Sequence, residues 1–304
     1  MSEKLKAHIA LFVSAVLFAI NYWVSDDLTN HIATLPLVFF RTIGAAFLFG
    51  ILYYFDKEKI MPNKKDLGLF AFAALFGILL NQFLFFSGLK YTSAIDAATI
   101  HVSNPIIVIT LSAIFLKIKL TKNKLLGVAL GALGALILIL YQGNYNSDLS
   151  SIKGNMMIFG NTFAYALFLI ILKSLLKKYS PIAAMFWLHI IASSFLIPVS
   201  FNTLIQFNWY EVFSQYWFSI FYIVVMLTFI AYLLNMYGLK RLSPTSVSFY
   251  VYLQPVFAYI IAIILGEQLP SFVKVMATLT IISGVVLVNT DKFKEHKKLK
   301  GMNS

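Results

Sequence analysis

Polar side chains recur within long apolar stretches of this chain, where a buried amide, hydroxyl or imidazole is costly unless it has a partner. Three sets lie at helical spacing: Ala97, His101 and Asn104; Ser246, Tyr250 and Gln254; and Asn161 with Tyr165. The predicted binding residues are Asn104, Gln254, Tyr165, His101, Asn21, Asn81, Gln82, Arg41, Tyr232, Asn235 and Tyr250. Such groups suit reversible binding of a small molecule. Each has the alternative of bonding a neighbouring helix, for about 1 kcal/mol or less.

Asn104 and Gln254 immediately precede Pro105 and Pro255, and the two pairs lie 150 residues apart. A proline within a helix removes one main-chain hydrogen bond and frees a carbonyl group, which kinks the helix beside the amide side chain. We therefore expect these two amides to form the centre of the binding site. A kink that serves only helix packing is the alternative.

Arg41 is the only basic residue in the body of an apolar stretch. A central arginine costs about 2.5–3.5 kcal/mol on membrane-insertion scales, so it needs compensation. Its guanidinium could hold a carboxylate or phosphate group bidentately. Alternatively, it reaches the outer interface or bonds main-chain carbonyls, and its role is structural.

Other ionisable residues in these stretches also have a structural interpretation beside the functional one. Imidazole titrates near neutral pH, so His101 or His189 could serve proton coupling, but a neutral histidine bonded to a neighbouring helix is the alternative. The run Ser93-Ala-Ile-Asp96 has the spacing of a capping box, which predicts a helix start rather than an intramembrane acid. Ser243-Pro244 predicts the equivalent start with proline at the first helical position.

The elements that carry these residues are predicted to be membrane helices. Of the 304 residues, 60% are hydrophobic and only 12% are charged, unlike a soluble domain. A bilayer requires about 20 apolar residues per helix. The predicted spans are 7–24, 34–55, 67–89, 94–116, 123–141, 154–174, 181–200, 214–238, 245–265 and 271–290. The chain has no cysteine, which excludes disulfides and thiol chemistry, and no metal or cofactor is predicted.

The basic residues alternate by loop. Twenty Lys and Arg residues fall in one set of loops and at the two ends, whereas the other set holds Lys90, Lys153 and Lys274. Under the positive-inside rule, this places both termini in the cytoplasm. The net charge of +12 therefore serves topology and the anionic lipid surface, not nucleic acid.

The chain repeats itself. Gly88-Leu89-Lys90, Ser93 and Pro105 recur as Gly238-Leu239-Lys240, Ser243 and Pro255, each displaced by 150 residues. Five spans per copy is an odd number, so the second copy enters the membrane from the opposite side. We therefore predict an all-α membrane protein of ten transmembrane helices in two inverted five-helix repeats, residues 1–143 and 144–304.

These motifs resemble the EamA-type family of the drug/metabolite transporter superfamily. The resemblance rests on the second-half motifs with Gly266-Glu267 and Gly284, and on Asn21-Tyr22, Pro36, Arg41 and Asn81-Gln82 in the first half. It implies a bacterial inner-membrane carrier with a central cavity lined by spans 1, 3, 4, 6, 8 and 9, and it alone suggests export. The family glutamate after span 4 is Lys117 here, while its second-half partner, Glu267, is present.

The predicted function is a secondary transporter of small polar or amphipathic metabolites, such as amino-acid-like compounds or drugs, working by alternating access. The alternatives are an intramembrane enzyme and an uncoupled facilitator or uptake permease for organic anions. The chain lacks His-Glu-x-x-His, Gly-x-Ser-x-Gly, paired intramembrane aspartates and phosphate-binding glycine loops, which disfavours an enzyme and direct use of ATP. The sequence leaves the cargo, coupling and direction open.

Two further expectations concern contacts between helices. Gly127, Gly131 and Gly134 form a small-residue ridge on span 5, which suits a homodimer face or packing within the monomer.

We also expect amide hydrogen bonds among Asn21, Asn81 and Gln82 to close an outer gate. Packing of Tyr232 and Tyr250 near Asn235 is expected to close an inner gate.

Overall fold

The computed structural model describes residues 2–57, 60–115, 121–141, 149–266 and 271–301. Ten helical segments occupy this part of the chain, and it contains no strand. They are α1 Glu3–His31, α2 Thr34–Phe55, α3 Lys64–Leu89, α4 Ala94–Phe115, α5 Lys122–Leu140, α6 Leu149–Leu175, α7 Pro181–Ile205, α8 Trp209–Arg241, α9 Pro244–Leu265 and α10 Phe272–Gly301. Lys117, Glu267 and the predicted repeat boundary at 143/144 lie outside the described residues.

Eight of the segments in the described part of the chain, all except α5 and α10, are long and apolar enough to cross a membrane. The apolar parts of α5 and α10 are shorter, at Leu125–Ile137 and Phe272–Gly284. The prediction of an all-α membrane protein is confirmed, whereas a total of ten crossings is not. Several helices extend beyond the predicted spans; α1 continues to His31 and α10 to Gly301.

Serine side chains begin several helices where the sequence predicted them. Ser93 Oγ accepts a hydrogen bond from the main-chain N–H of Asp96 at 3.1 Å, so this run does open α4. Ser243 Oγ accepts in the same way from Ser246 N–H at 3.1 Å, ahead of α9. Asp96 also forms an ion pair with Lys274 of α10, a long-range contact that the local pattern did not reveal.

Four helices depart from α geometry in their middle. A π-helical stretch occupies Leu75–Leu80 in α3 and another occupies Tyr222–Ala231 in α8. Short 3-10 turns occupy His101–Ser103 in α4 and Phe249–Tyr252 in α9. Each 3-10 turn lies directly before the segment with the proline, because the proline nitrogen cannot donate the hydrogen bond that would continue the α-helix.

The third and fourth helices of each half pack against the first helix of the other half. α3 and α4 pack against α6, while α8 and α9 pack against α1. The repeated glycines make these approaches possible: a Cβ atom on Gly88 would lie 2.8 Å from Ile158 Cδ1, and one on Gly238 would lie 2.6 Å from Leu11 Cγ. Both distances are shorter than carbon atoms tolerate, so a side chain at either position would force the neighbouring side chain to shift.

The glycine ridge of α5 packs within the chain, against α10. A Cβ atom on Gly134 would lie 2.7 Å from the Ala277 carbonyl oxygen, and one on Gly284 would lie 2.5 Å from that of Gly127. The ridge therefore serves intramolecular packing. A homodimer through α5 stays a prediction; Leu125 and Leu136 are exposed on the face opposite the ridge.

Candidate functional site

A cavity of about 50 Å³ lies among α1, α2, α3, α4, α6, α8 and α9. This volume is smaller than that of a typical small-molecule site, so binding of a cargo requires the surrounding helices to move apart. Its walls are Phe18, Asn21, Tyr22, Arg41, Asn81, Phe85, His101, Asn104, Asn161, Tyr165, Tyr232, Val251 and Gln254. All six helices predicted from the family resemblance contribute to it. α2 contributes as well, through Arg41, and the resemblance did not include that helix.

Eight of the eleven predicted binding residues line this cavity: Asn104, Gln254, Tyr165, His101, Asn21, Asn81, Arg41 and Tyr232. They come from seven helices and from both ends of the sequence, so the fold does bring them together. Gln82, Asn235 and Tyr250 do not line it.

A chain of hydrogen bonds crosses the cavity wall from α9 to α6. The Tyr22 hydroxyl donates to Gln254 Oε1 at 2.8 Å, and it lies 2.7 Å from His101 Nδ1. On the other side of the imidazole ring, Nε2 lies 2.6 Å from Asn161 Oδ1. His101 therefore joins α1, α6 and α9 through side-chain contacts.

Donor and acceptor roles restrict the proton positions on His101. Asn161 Nδ2 donates to the Asn81 carbonyl at 2.7 Å, so its Oδ1 faces the imidazole and can only accept. The proton of His101 accordingly lies on Nε2. Because the Tyr22 proton is donated to Gln254 Oε1, Nδ1 bonds the Tyr22 oxygen only as a donor, in a protonated ring; its other contact is the Ala97 carbonyl, 2.9 Å away.

Asn81 and Asn161 exchange hydrogen bonds with each other's main chain. Asn81 Nδ2 donates to the Asn161 carbonyl at 3.1 Å, and Asn161 Nδ2 returns the bond to the Asn81 carbonyl at 2.7 Å. This reciprocal pair ties α3 to α6. The expected bonds among Asn21, Asn81 and Gln82 do not form, because Asn81 faces α6 and Asn21 Oδ1 accepts from Ser25 of its own helix.

Asn104 is almost fully buried in the cavity wall, with 1% of its surface exposed. Its Nδ2 donates to the Thr162 carbonyl at 3.3 Å. Its Oδ1 has no hydrogen-bond partner in the protein. A buried carbonyl without a partner loses hydration without replacement, so this oxygen is an acceptor whose hydrogen bond a ligand would restore.

Arg41 is 3% exposed, which excludes the interpretation that it extends to the membrane surface. Its Nε donates to Thr228 Oγ1 at 2.8 Å, and its guanidinium lies 5.4 Å from the centre of the Phe86 ring. The Tyr232 side chain is also within hydrogen-bonding reach. Among the described residues, no carboxylate lies within 4.0 Å of Arg41.

The three predicted residues outside the cavity have other surroundings. Gln82 is fully buried, and neither atom of its amide has a partner in the protein. Asn235 Nδ2 lies 3.5 Å from Ser14 Oγ, which ties α8 to α1. The Tyr250 hydroxyl bonds His8 Nδ1 at 2.7 Å near the start of α1. The sequence pattern predicted that these residues are buried or lie between helices. It does not determine which way each side chain points.

His189 bonds within its own helix rather than to a neighbouring one. Its Nδ1 bonds the Met185 carbonyl of its own helix at 2.8 Å, and its ring stacks on Phe49 at 5.3 Å. It lies outside the cavity. In the described part of the chain, no group of three His, Asp or Glu residues is arranged to hold a metal ion.

Comparisons with known proteins identify the family and agree with the fold. The sequence profile of the EamA-like transporter family matches residues 5–140 and again residues 152–290. "Uncharacterized transporter YyaM" of Bacillus subtilis is 27% identical, over 84% of this chain and 86% of its own length. "Protein WALLS ARE THIN 1" of Arabidopsis thaliana is also 27% identical, over 97% of this chain and 85% of its own length.

A solved crystal structure superposes with a TM-score of 0.63, covering 92% of this chain and 95% of that chain. At 16% identity, this likeness is one of fold alone. The family match covers most of the chain, and the Bacillus subtilis relative is named as a transporter. This multi-pass membrane protein therefore belongs to the EamA-like transporter family, within the drug/metabolite transporter superfamily.

Proposed function

We propose that this protein is a secondary transporter that moves small polar or amphipathic metabolites through its central cavity by alternating access. One observation carries the proposal. In an otherwise apolar helical bundle, amide, phenol, imidazole and guanidinium groups from seven helices line a single cavity. Polar groups at membrane depth are expensive, so a cluster of them around a cavity is typical of a substrate pathway.

The proposed architecture is ten membrane spans in two inverted repeats, residues 1–143 and 144–304. The mirrored packing, in which α3 meets α6 as α8 meets α1, supports it. The family profile also matches the two halves separately. Inverted repeats allow two alternative packings of the same halves, which gives the cavity access to either side in turn.

The proposed location is the cytoplasmic membrane of a bacterium, with both termini inside and transport mainly outward. The 20 to 3 division of Lys and Arg between loops supports the orientation. Export rests on the family resemblance. The buried cation Arg41 supports one second candidate, an uptake permease or facilitator for organic anions.

Topology has a direct test, because the natural chain has no cysteine. Single cysteines at Tyr145→Cys and Lys298→Cys would be labelled in intact cells with a membrane-impermeant maleimide. We expect labelling at 145 and none at 298 until the cells are opened. Labelling of both positions from outside would refute the orientation.

Transport is tested in proteoliposomes. Compounds that raise the melting temperature of the purified protein would be loaded and their flux measured. We expect saturable movement of a compound that is recovered chemically unchanged. Conversion of that compound into a product without net movement would favour the enzyme alternative.

A further inference from the structure

The cavity has one formal charge, and it is positive. Arg41 is the only Lys, Arg, Asp or Glu among the residues that line it. The guanidinium is buried, and Nε is engaged with Thr228 Oγ1 at 2.8 Å. A charge in such surroundings needs a partner of opposite sign to offset its lost hydration. Since the described residues supply no carboxylate at this position, the cavity is suited to an anionic ligand.

The neutral acceptors of the cavity are mostly occupied. Asn21 Oδ1 accepts from Ser25, Asn161 Oδ1 faces His101, and Gln254 Oε1 accepts from Tyr22. Among the lining amides of the described chain, Asn104 Oδ1 is buried without a protein partner. One neutral amide oxygen suits a hydroxyl or N–H donor, but it cannot offset the charge of an ammonium group.

The rest of the wall is aromatic or apolar. Phe18, Tyr22, Phe85, Tyr165 and Tyr232 line the cavity, with Val251 beside them. The rings pack at tilted angles, with centroids 6.0 Å apart for Tyr22 and Phe85 and 5.8 Å apart for Phe18 and Tyr232. Such walls bind an aromatic or branched apolar body by burial of its surface.

We propose that the cargo is a monocarboxylate with an apolar body and one neutral hydrogen-bond donor. Its carboxylate binds the Arg41 guanidinium, and its donor binds Asn104 Oδ1. Cations are excluded by the field of Arg41. Zwitterions are disfavoured because no acid in the cavity wall would hold their ammonium group. This inference rests on the proposed function, since it names the class of compound that the transporter moves.

The test uses compounds that differ in one group. The aromatic set is 3-phenyllactate, its amide, 3-phenylpropionate and 2-phenylethylamine; 2-hydroxy-4-methylpentanoate and its amide form an aliphatic pair. Thermal stabilisation of the purified protein and flux in proteoliposomes would both be measured. We expect the two hydroxy acids to stabilise and move. Their amides and the amine should do neither, and 3-phenylpropionate should bind about tenfold more weakly, because it lacks the donor.

Three variants complete the experiment. Arg41→Gln should lose stabilisation by the hydroxy acids, and Arg41→Lys should retain part of it, since lysine keeps the charge but not the fork of donors. Lys90→Gln removes one positive charge from an exposed position away from the cavity and should behave like the natural protein. If Arg41→Gln fails to fold, the matched acid and amide series on the natural protein still decides the inference.

The outcomes separate this inference from the transport proposal. Flux of neutral or cationic compounds, with no stabilisation by the acids, would overturn the anion site and leave transport intact. Acids that stabilise the natural protein while no compound crosses the membrane would overturn transport and leave the anion site. Equal binding of acids and their amides, or undiminished binding of acids by Arg41→Gln, would overturn the inference directly.

Discussion

The two proline sites of this protein share a backbone design but differ in side-chain chemistry. In α4 and in α9, a short 3-10 turn precedes the proline, and an amide residue lines the cavity at the same step. Gln254 is bonded through Tyr22 to a network that reaches His101. Asn104 is bonded to one carbonyl, and its Oδ1 lacks a protein partner.

This difference indicates that the two proline sites share a backbone geometry and that their amide side chains have different roles. The α9 site fixes the positions of three helices relative to one another. The α4 site has an acceptor available for a ligand. A symmetric backbone can therefore form an asymmetric cavity, which a cargo with unlike ends requires.

Leucine substitution at the two amides should have the largest effect. Asn104→Leu and Gln254→Leu should each reduce flux at least about tenfold, since each removes hydrogen bonds to cargo or to the cavity wall. Gln254→Leu should also lower the melting temperature, because Tyr22 loses its acceptor; Asn104→Leu should lower it less. Ser194→Leu, on an exposed face of α7, is the matched control. Unchanged flux in both amide variants would refute the site.

Removal of the Tyr22 hydroxyl should have an intermediate effect. Tyr22→Phe breaks the connection between Gln254 and His101, so we expect a several-fold loss of flux and a loss of stability of about 1 kcal/mol. Tyr259→Phe is the control, because its hydroxyl bonds Thr99 at 2.8 Å and it lies outside the cavity. Equal loss of flux in both variants would assign Tyr22 to packing alone.

Removal of the serine caps of α4 and α9 should have the smallest effect. Ser93→Ala should destabilise the protein by about 1 kcal/mol, since the start of α4 loses its side-chain acceptor. Ser243→Ala should cost less, because Pro244 fixes the first helical residue of α9 by itself. Melting temperatures of the detergent-purified variants measure the difference. A larger loss at Ser243 would contradict this comparison of the two starts.

The sequence predicted what depends on local pattern and on the repeat. Apolar length predicted the helices, Ser93 and Ser243 predicted two starts, and the displacement of 150 residues predicted the two amides in one cavity. Helical spacing also grouped Asn161 with Tyr165, though the importance of Asn161 as the partner of Asn81 emerged only from the structure.

Other features depend on contacts between distant segments, which no local pattern encodes. Tyr22 follows Asn21 in a family motif, yet its bonds reach residues 79 and 232 positions away. The ion pair of Asp96 with Lys274 spans 178 positions. The π-helical stretches of α3 and α8 contain no proline, so their sequences gave no sign of the departure. Asn81 and Gln82 are adjacent in sequence. The rotation of α3 about its own axis decides that Asn81, and not Gln82, lines the cavity.

Accessibility of position 251 tests alternating access most directly. Val251 lines the cavity without a polar side chain, so Val251→Cys introduces one thiol there and preserves the hydrogen bonds described above. Phe163→Cys, on an exposed face of α6, is the control. A membrane-impermeant maleimide would be applied to right-side-out and to inside-out vesicles. We predict that the thiol at 251 reacts from both faces of the membrane, and that the one at 163 reacts from neither. Reaction at 251 from a single face only, with and without cargo, would contradict alternating access.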